Sequence, residues 1–154
     1  MAFDRLLARM FDANLPGRDG WVLKGGYALE MRFHRARATK DLDLLVSPSG
    51  DNLDRVAQAL ERFGAAQNVI VAARNLREQE VVYLGVAPVR VDILRGADGI
   101  DDVDSILARS VVTSVGNLTV PIIALDDLIA NKRAAGRPQD LADLVLLERV
   151  RRRK

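Results

Sequence analysis

Three aspartates of this chain fall where they could do chemistry. Asp41 and Asp43 lie two positions apart in the run DLDLLV. On a strand, residues two apart share a face, so both carboxylates project together while Leu42, Leu44 and Val46 turn into a core. Asp92 lies in a second such run, VRVDIL, in mid-strand, where aspartate is depleted and costly to bury unpaired. Carboxylate oxygens of this kind suit a hard cation, Mg2+ or Mn2+. Three of them facing one way would hold two such ions for phosphoryl chemistry. Ahead of the first pair, with fourteen residues between, stand Gly25 and Gly26. A glycine turn opening a helix can present backbone N–H groups to phosphate. Together these residues outline a nucleotide-and-metal site. Each also has a plainer reading: a half-exposed strand shows aspartates on its wet face, and most glycine pairs are turns.

Composition narrows the chemistry further. The chain has 154 residues, enough for one domain with a real core and too few for two large ones. Apolar residues make up 49% and charged residues 29%, ordinary for a soluble globular protein. With no cysteine, disulfides and thiolate zinc sites are excluded. His34 is the single histidine, and no Gly-x-Ser-x-Gly elbow is present, which disfavours a serine hydrolase. No apolar run approaches the ~18 residues that span a membrane. The opening segment MAFDRLLARMFDAN carries charges throughout, unlike a secretory signal, so a cytoplasmic location is expected. The net charge is +2, yet five basic residues sit in the last six, RVRRRK. Without them 18 basic residues face 21 acidic ones, a balance of −3. The body is mildly acidic and the tail basic, which reads either as a nucleic-acid contact or as a solvated helix end.

Elements must place these groups. Phe3, Leu6, Leu7, Met10 and Phe11 predict a helix over 2–13, closed by Asn14-Leu15-Pro16-Gly17. Trp21-Val22-Leu23 leads into the glycines, and Ala28, Leu29, Arg32 and Phe33 then follow helical spacing. A basic loop, HRARATK, precedes a strand over 41–46. Asp51 or Asn52 is expected to cap a helix running to about Phe63, and 68–73 reads as a strand. Residues 81–84 and 89–94 read as a hairpin. An acidic loop, 98–104, leads to a short helix near 105–109. Leu118–Val120 reads as a short strand ended by Pro121, and helices follow over 125–135 and 138–150. The expected architecture is α+β, a two-layer arrangement of a mixed β-sheet with helices packed on it and a helical pair at the C-terminus. It forms one domain over 1–154, its core at about 1–121 and its helical part at about 122–154.

The order of these motifs resembles a known family. Gly25-Gly26, then Arg37-x-Thr39-x-Asp41-x-Asp43, is similar to the signature of the polymerase-β-type nucleotidyltransferases, in particular their AbiEii abortive-infection branch. Arg90-Val91-Asp92-Ile93 resembles that branch's next motif. Lys132, Ala135, Arg137-Pro138, Asp140 and Asp143 resemble its C-terminal one. The chain departs from the pattern at Gln139, where the branch often has a basic residue. The resemblance implies that Asp41, Asp43 and Asp92 hold Mg2+ or Mn2+ and that Gly25 and Gly26 contact the triphosphate. It implies that Lys132 neutralises phosphate charge, while Asp140 either assists the acceptor or holds Lys132. Thr39 and Arg37 either position phosphate or fix the loop, and Lys24 and His34 read as bystanders.

The reaction so implied is attack of an acceptor hydroxyl on the α-phosphorus of an NTP, with release of pyrophosphate, by the toxin of a toxin–antitoxin or phage-defence pair with a cognate antitoxin. Among acceptors, the arginines of the HRARATK loop and the tail favour RNA, such as a tRNA 3′ end, over a protein, and disfavour a cationic small molecule. Two other classes stay open. One is a nucleotide- or RNA-binding module of the same fold without turnover. The other is a structural domain whose aspartates merely line a wet face.

Overall fold

The computed structural model describes residues 20–33, 41–86, 89–115 and 118–152. The expected helix over 2–13 and the HRARATK loop, with His34, Arg35, Arg37 and Thr39, lie outside them. In chain order the elements are β1 (Trp21–Lys24), α1 (Gly25–Phe33), β2 (Asp41–Val46), α2 (Gly50–Phe63), α3 (Gln67–Arg74), β3 (Val81–Val86) and β4 (Val89–Leu94). There follow α4 (Val103–Ala108), β5 (Val111–Val115), β6 (Leu118–Ile122), α5 (Leu125–Ala135) and α6 (Pro138–Arg151). Six strands form one sheet in the order β3-β4-β2-β1-β6-β5. β2 runs antiparallel to β1 but parallel to β4, and β1 is parallel to β6, so the sheet is mixed. The α+β reading with a C-terminal helical pair is what the structure shows.

Register turns this sheet into two chemically different faces. Leu23, Leu44, Ile93 and Val82 are successive partners across β1, β2, β4 and β3, and all four are buried. Each such side chain contributes about 1.5–3 kcal/mol when fully buried. α2 adds Leu53, Val56, Ala57 and Leu60 to the core at the helical spacing that its sequence shows. The opposite face of the same strands carries the polar residues described below.

Several local expectations are corrected. Residues 68–73 lie within a helix, α3, not in a strand. The run NVIVAA is short and apolar, and such a run fits either period until its neighbours decide. Here Ile70 and Ala73, three apart, are buried while Val71 is exposed, and Arg74 pairs with Asp54 of α2 at 3.0 Å. The cap of α2 is Ser49, whose side chain accepts from the Asn52 backbone N–H at 3.3 Å. Asn52 is instead buried, its side-chain amide donating to the carbonyls of Gly20 at 2.8 Å and Ser47 at 3.1 Å. That bond pair ties the entry to β1 to the exit of β2. The strand read as ending at Pro121 runs on to Ile122, pairs with an unforeseen β5, and meets β1 at the Leu23–Ile122 register. Proline is tolerated in a strand where its missing N–H falls outside the ladder.

The helical pair closes as its punctuation suggests. Gly136 ends α5 in the left-handed region, and Pro138 opens α6 at its first turn. The loop after β4 is fixed against α5. Asn131 donates to the Asp98 carbonyl at 2.8 Å, and a Cβ at Gly99 (φ +69) would meet Ala134 Cβ at 2.7 Å and the Ala130 carbonyl at 3.1 Å. Among the described residues no helix is long and apolar enough to cross a membrane.

Candidate active site

The polar face of the sheet is organised as a row. Lys24 of β1 stands opposite Asp43 of β2, Asp43 opposite Asp92 of β4, and Asp92 opposite Tyr83 of β3. Residues directly opposite one another project to the same side of a sheet. One register step away, Asp41 stands opposite Arg90. The expectation that Asp41, Asp43 and Asp92 share a face is met, because the parallel β2–β4 pairing puts Asp43 and Asp92 level.

Gly25 closes one end of this row. Its φ is +73, and a Cβ there would come within 1.9 Å of Asp43 Oδ2. Only glycine allows both the backbone turn and that close approach. The Asp43 carboxylate therefore lies against the start of α1, beside the Gly25-Gly26 turn. Asp43 binds a proton more readily than a free aspartate. Burial is the main cause and the nearby charges of Asp92 and Asp41 add to it, while Lys24 and Lys132 act in the opposite sense.

Asp92 is buried and already has a cation. Arg90 donates from Nε to Oδ1 at 2.6 Å and from Nη2 to Oδ2 at 2.8 Å, a two-pronged pair. The same guanidinium lies 4.8 Å from the centre of the Tyr83 ring. The hydrogen bonds to Asp92 raise the Arg90 pKa above its ordinary value. Among the described residues no three carboxylate or imidazole side chains close up enough to hold a metal ion.

Across the cleft, α5 and α6 supply the second wall. Lys132 is buried, and its Nζ donates to Asp140 Oδ1 at 2.9 Å and to Asp143 Oδ2 at 2.8 Å. Of the two roles open to Asp140, holding Lys132 is the one for which the structure has a contact. Lys24, Gly25, Gly26, Asp41, Asp43, Asp92, Lys132 and Asp140 all line one cleft of about 1620 Å3. Its described lining holds five basic and eight acidic side chains, so it is electronegative overall.

Sequence reasoning missed two members of this group. Lys24, read as a bystander, is level with Asp43 and is the largest charge opposing its protonation. Tyr83 entered no motif, and only strand register brings it to Asp92. Asp143 had been quoted in a motif without a role. Its signal was the three-residue spacing from Asp140, which stacks both on one helix face. Arg37 and Thr39 lie outside the described residues.

With this geometry in view, comparison with protein families gives the class first: the chain falls among the nucleotidyl transferases. It belongs to the AbiEii family, described as the nucleotidyl transferase AbiEii toxin of type IV toxin–antitoxin systems, whose model matches residues 5–153, nearly the whole chain. No curated protein matches it.

Proposed function

We propose that the protein uses Mg2+ or Mn2+ to transfer a nucleotidyl group from an NTP to the terminal hydroxyl of an RNA, a tRNA 3′ end being the first candidate, as the toxin of a pair with a cognate antitoxin. The observation that carries this reading is the row Lys24–Asp43–Asp92 facing Lys132 across one cleft. A triphosphate would be repelled by a lining with eight acidic and five basic side chains unless cations came with it. The donor set is all carboxylate, as Mg2+ and Mn2+ prefer. The negative charges of Asp92 and Asp41, which help Asp43 hold a proton, would equally favour a metal cation there.

Asp41, Asp43 and Asp92 would hold the metal, Asp92 once Arg90 has let go of it. The bound ions would supply positive charge at the α-phosphorus and at the attacking and leaving oxygens. The remaining work belongs to positioning. The Gly25-Gly26 turn offers N–H groups at the start of α1 to triphosphate oxygens. Lys132, fixed by Asp140 and Asp143, keeps a set place on the opposite wall, where it would face phosphate. In the transfer, the acceptor oxygen forms a bond to the α-phosphorus as the bond to pyrophosphate breaks, and the hydroxyl proton is lost. The arginines of the HRARATK loop, next in sequence to Asp41, would contribute to drawing an RNA.

One observation favours a second reading, a nucleotide- or RNA-binding module without turnover: Arg90 occupies both oxygens of Asp92. Incubation with each α-labelled NTP and Mg2+ in cell lysate separates the two. Transfer to RNA predicts RNase-sensitive label from at least one NTP. Label confined to an RNase-resistant protein band would replace the acceptor and keep the reaction. No label from any NTP, with NTP binding intact, would establish the binding module instead.

A further inference from the structure

The cleft is larger than an NTP requires. Its volume of about 1620 Å3 exceeds the roughly 300–1,000 Å3 usual for one small-molecule site. Part of its lining runs along α6. Gln139, Ala142, Leu146 and Arg149 of that helix all line the cleft, recurring every three or four positions as a single face. Asp140 and Asp143, committed to Lys132, occupy only its first turns. From Asp143 the lined face continues to Arg149, six residues and about 9 Å further.

The charges on this helix divide sharply. Arg151 turns to Asp126 on α5 at 3.0 Å, Arg152 donates to the Glu148 carbonyl, and the Glu148 carboxylate takes Arg133 at 2.6 Å. Most of the described basic tail is thus spent on the protein itself. Arg149 is the exception: it lines the cleft, is exposed, and has no ion-pair partner among the described residues. Arg137, at the other end of the helix, is in the same position. Twelve residues separate the two, about 18 Å along the axis. Between them the lining carries Gln139, Ala142 and Leu146, the last 45% exposed, together with Asp140 and Asp143, which are tied to Lys132. Outside α6 the lining also bears Glu78, Glu80 and Asp98.

Two guanidinium groups on one helix, with no ion-pair partner among the described residues, match the phosphates of a single chain lying along it. We infer that the cleft face of α6 from Arg137 to Arg149 is the track on which a single-stranded RNA end lies, its terminal hydroxyl towards Asp43 and Asp92. This rests on the RNA-acceptor reading above, and it separates Arg149 from the rest of the tail.

The test is binding of a fluorescent single-stranded oligoribonucleotide to the full chain at fixed Mg2+ and without NTP, followed by anisotropy over a salt series. Each phosphate contact on a single strand steepens the log–log salt dependence by about 0.7. Arg149→Ala should weaken binding severalfold and lower the slope by about that amount, and Arg149→Lys should restore the slope. Arg151→Ala, which breaks only the pair with Asp126, should leave it unchanged. Equal losses in Arg149→Ala and Arg151→Ala, or none in either, would overturn the track. If the parent bound no RNA while NTP and Mg2+ still raised its Tm, the RNA reading would fall with the track and the transferase reading would stand.

Discussion

Two cations face each other across the cleft, and each is held by carboxylates, but in different ways. Lys132 is 7% exposed in its side chain and is shared between two helical aspartates that are themselves largely buried. Arg90 has a side chain 38% exposed, holds one aspartate, and lies over a tyrosine that is itself open to solvent. The helical cluster is a fixed part of the scaffold, since breaking a buried pair strands the charges left behind. The sheet pair is within reach of water and ions, so a divalent cation can compete for its carboxylate. The contrast teaches that the helical wall sets a position and the sheet wall sets an occupancy.

The largest effect should come from the sheet wall. Asp41→Ala or Asp43→Ala should lower transfer by at least about 10²–10³-fold, the scale of losing one preorganised electrostatic group. Both should also abolish the rise in Tm that Mg2+ or Mn2+ gives by binding the folded state. A double variant with the parent's metal-dependent shift would remove these residues from a metal site. Asp92→Asn should keep NTP binding and lose transfer.

The helical wall should fail through stability. Lys132→Ala leaves Asp140 and Asp143 without their shared cation, which should cost about 3–5 kcal/mol in urea unfolding. Combining it with Asp140→Asn and Asp143→Asn should recover much of that loss. A cost below about 1 kcal/mol for the single change, the scale of an exposed pair, would place Lys132 with Arg90 and dissolve the contrast.

A smaller effect sharpens the idea of occupancy. Arg90→Gln frees both oxygens of Asp92, so Mn2+ measured by calorimetry should bind severalfold more tightly. Weaker binding would mean that Arg90 positions Asp92 for the metal instead of competing with it.

The smallest effect concerns protons. Asp43 holds its proton more tightly in the folded chain than in the unfolded one, so the folded state carries the extra proton between the two pKa values. Stability of the metal-free protein should therefore fall as pH rises through that window, with the penalty complete above the folded value. Asp43→Asn should raise Tm at neutral pH, and the gain should shrink as pH falls into the carboxylate range. An unchanged gain at low pH would assign it to packing.

The polar row was partly legible in the sequence. The two-residue spacing of Asp41 and Asp43 and the alternation around Asp92 fix faces, and faces are local. Which residues lie level is a matter of register between strands, which is why Lys24 and Tyr83 went unread. The helical pair was legible to within a residue because Gly136 and Pro138 punctuate it. The NVIVAA run was not, since five apolar residues in a row fit either period and the packing of Ile70 and Ala73 decided for helix. The tail RVRRRK read as one charged block, yet pairing divides it: Arg151 and Arg152 turn to the protein and Arg149 to the cleft.

Gly99 and Ala134 meet where β4's loop presses on α5, at a distance that leaves no room for a Cβ on Gly99. The two walls of the cleft are thus spaced by one absent side chain and one methyl group, with Asn131 pinning the loop beside them. Such a joint is a shim more than a hinge. A larger residue at either position would have to move the loop off α5, and with it Asp98 and Ile100 of the cleft lining.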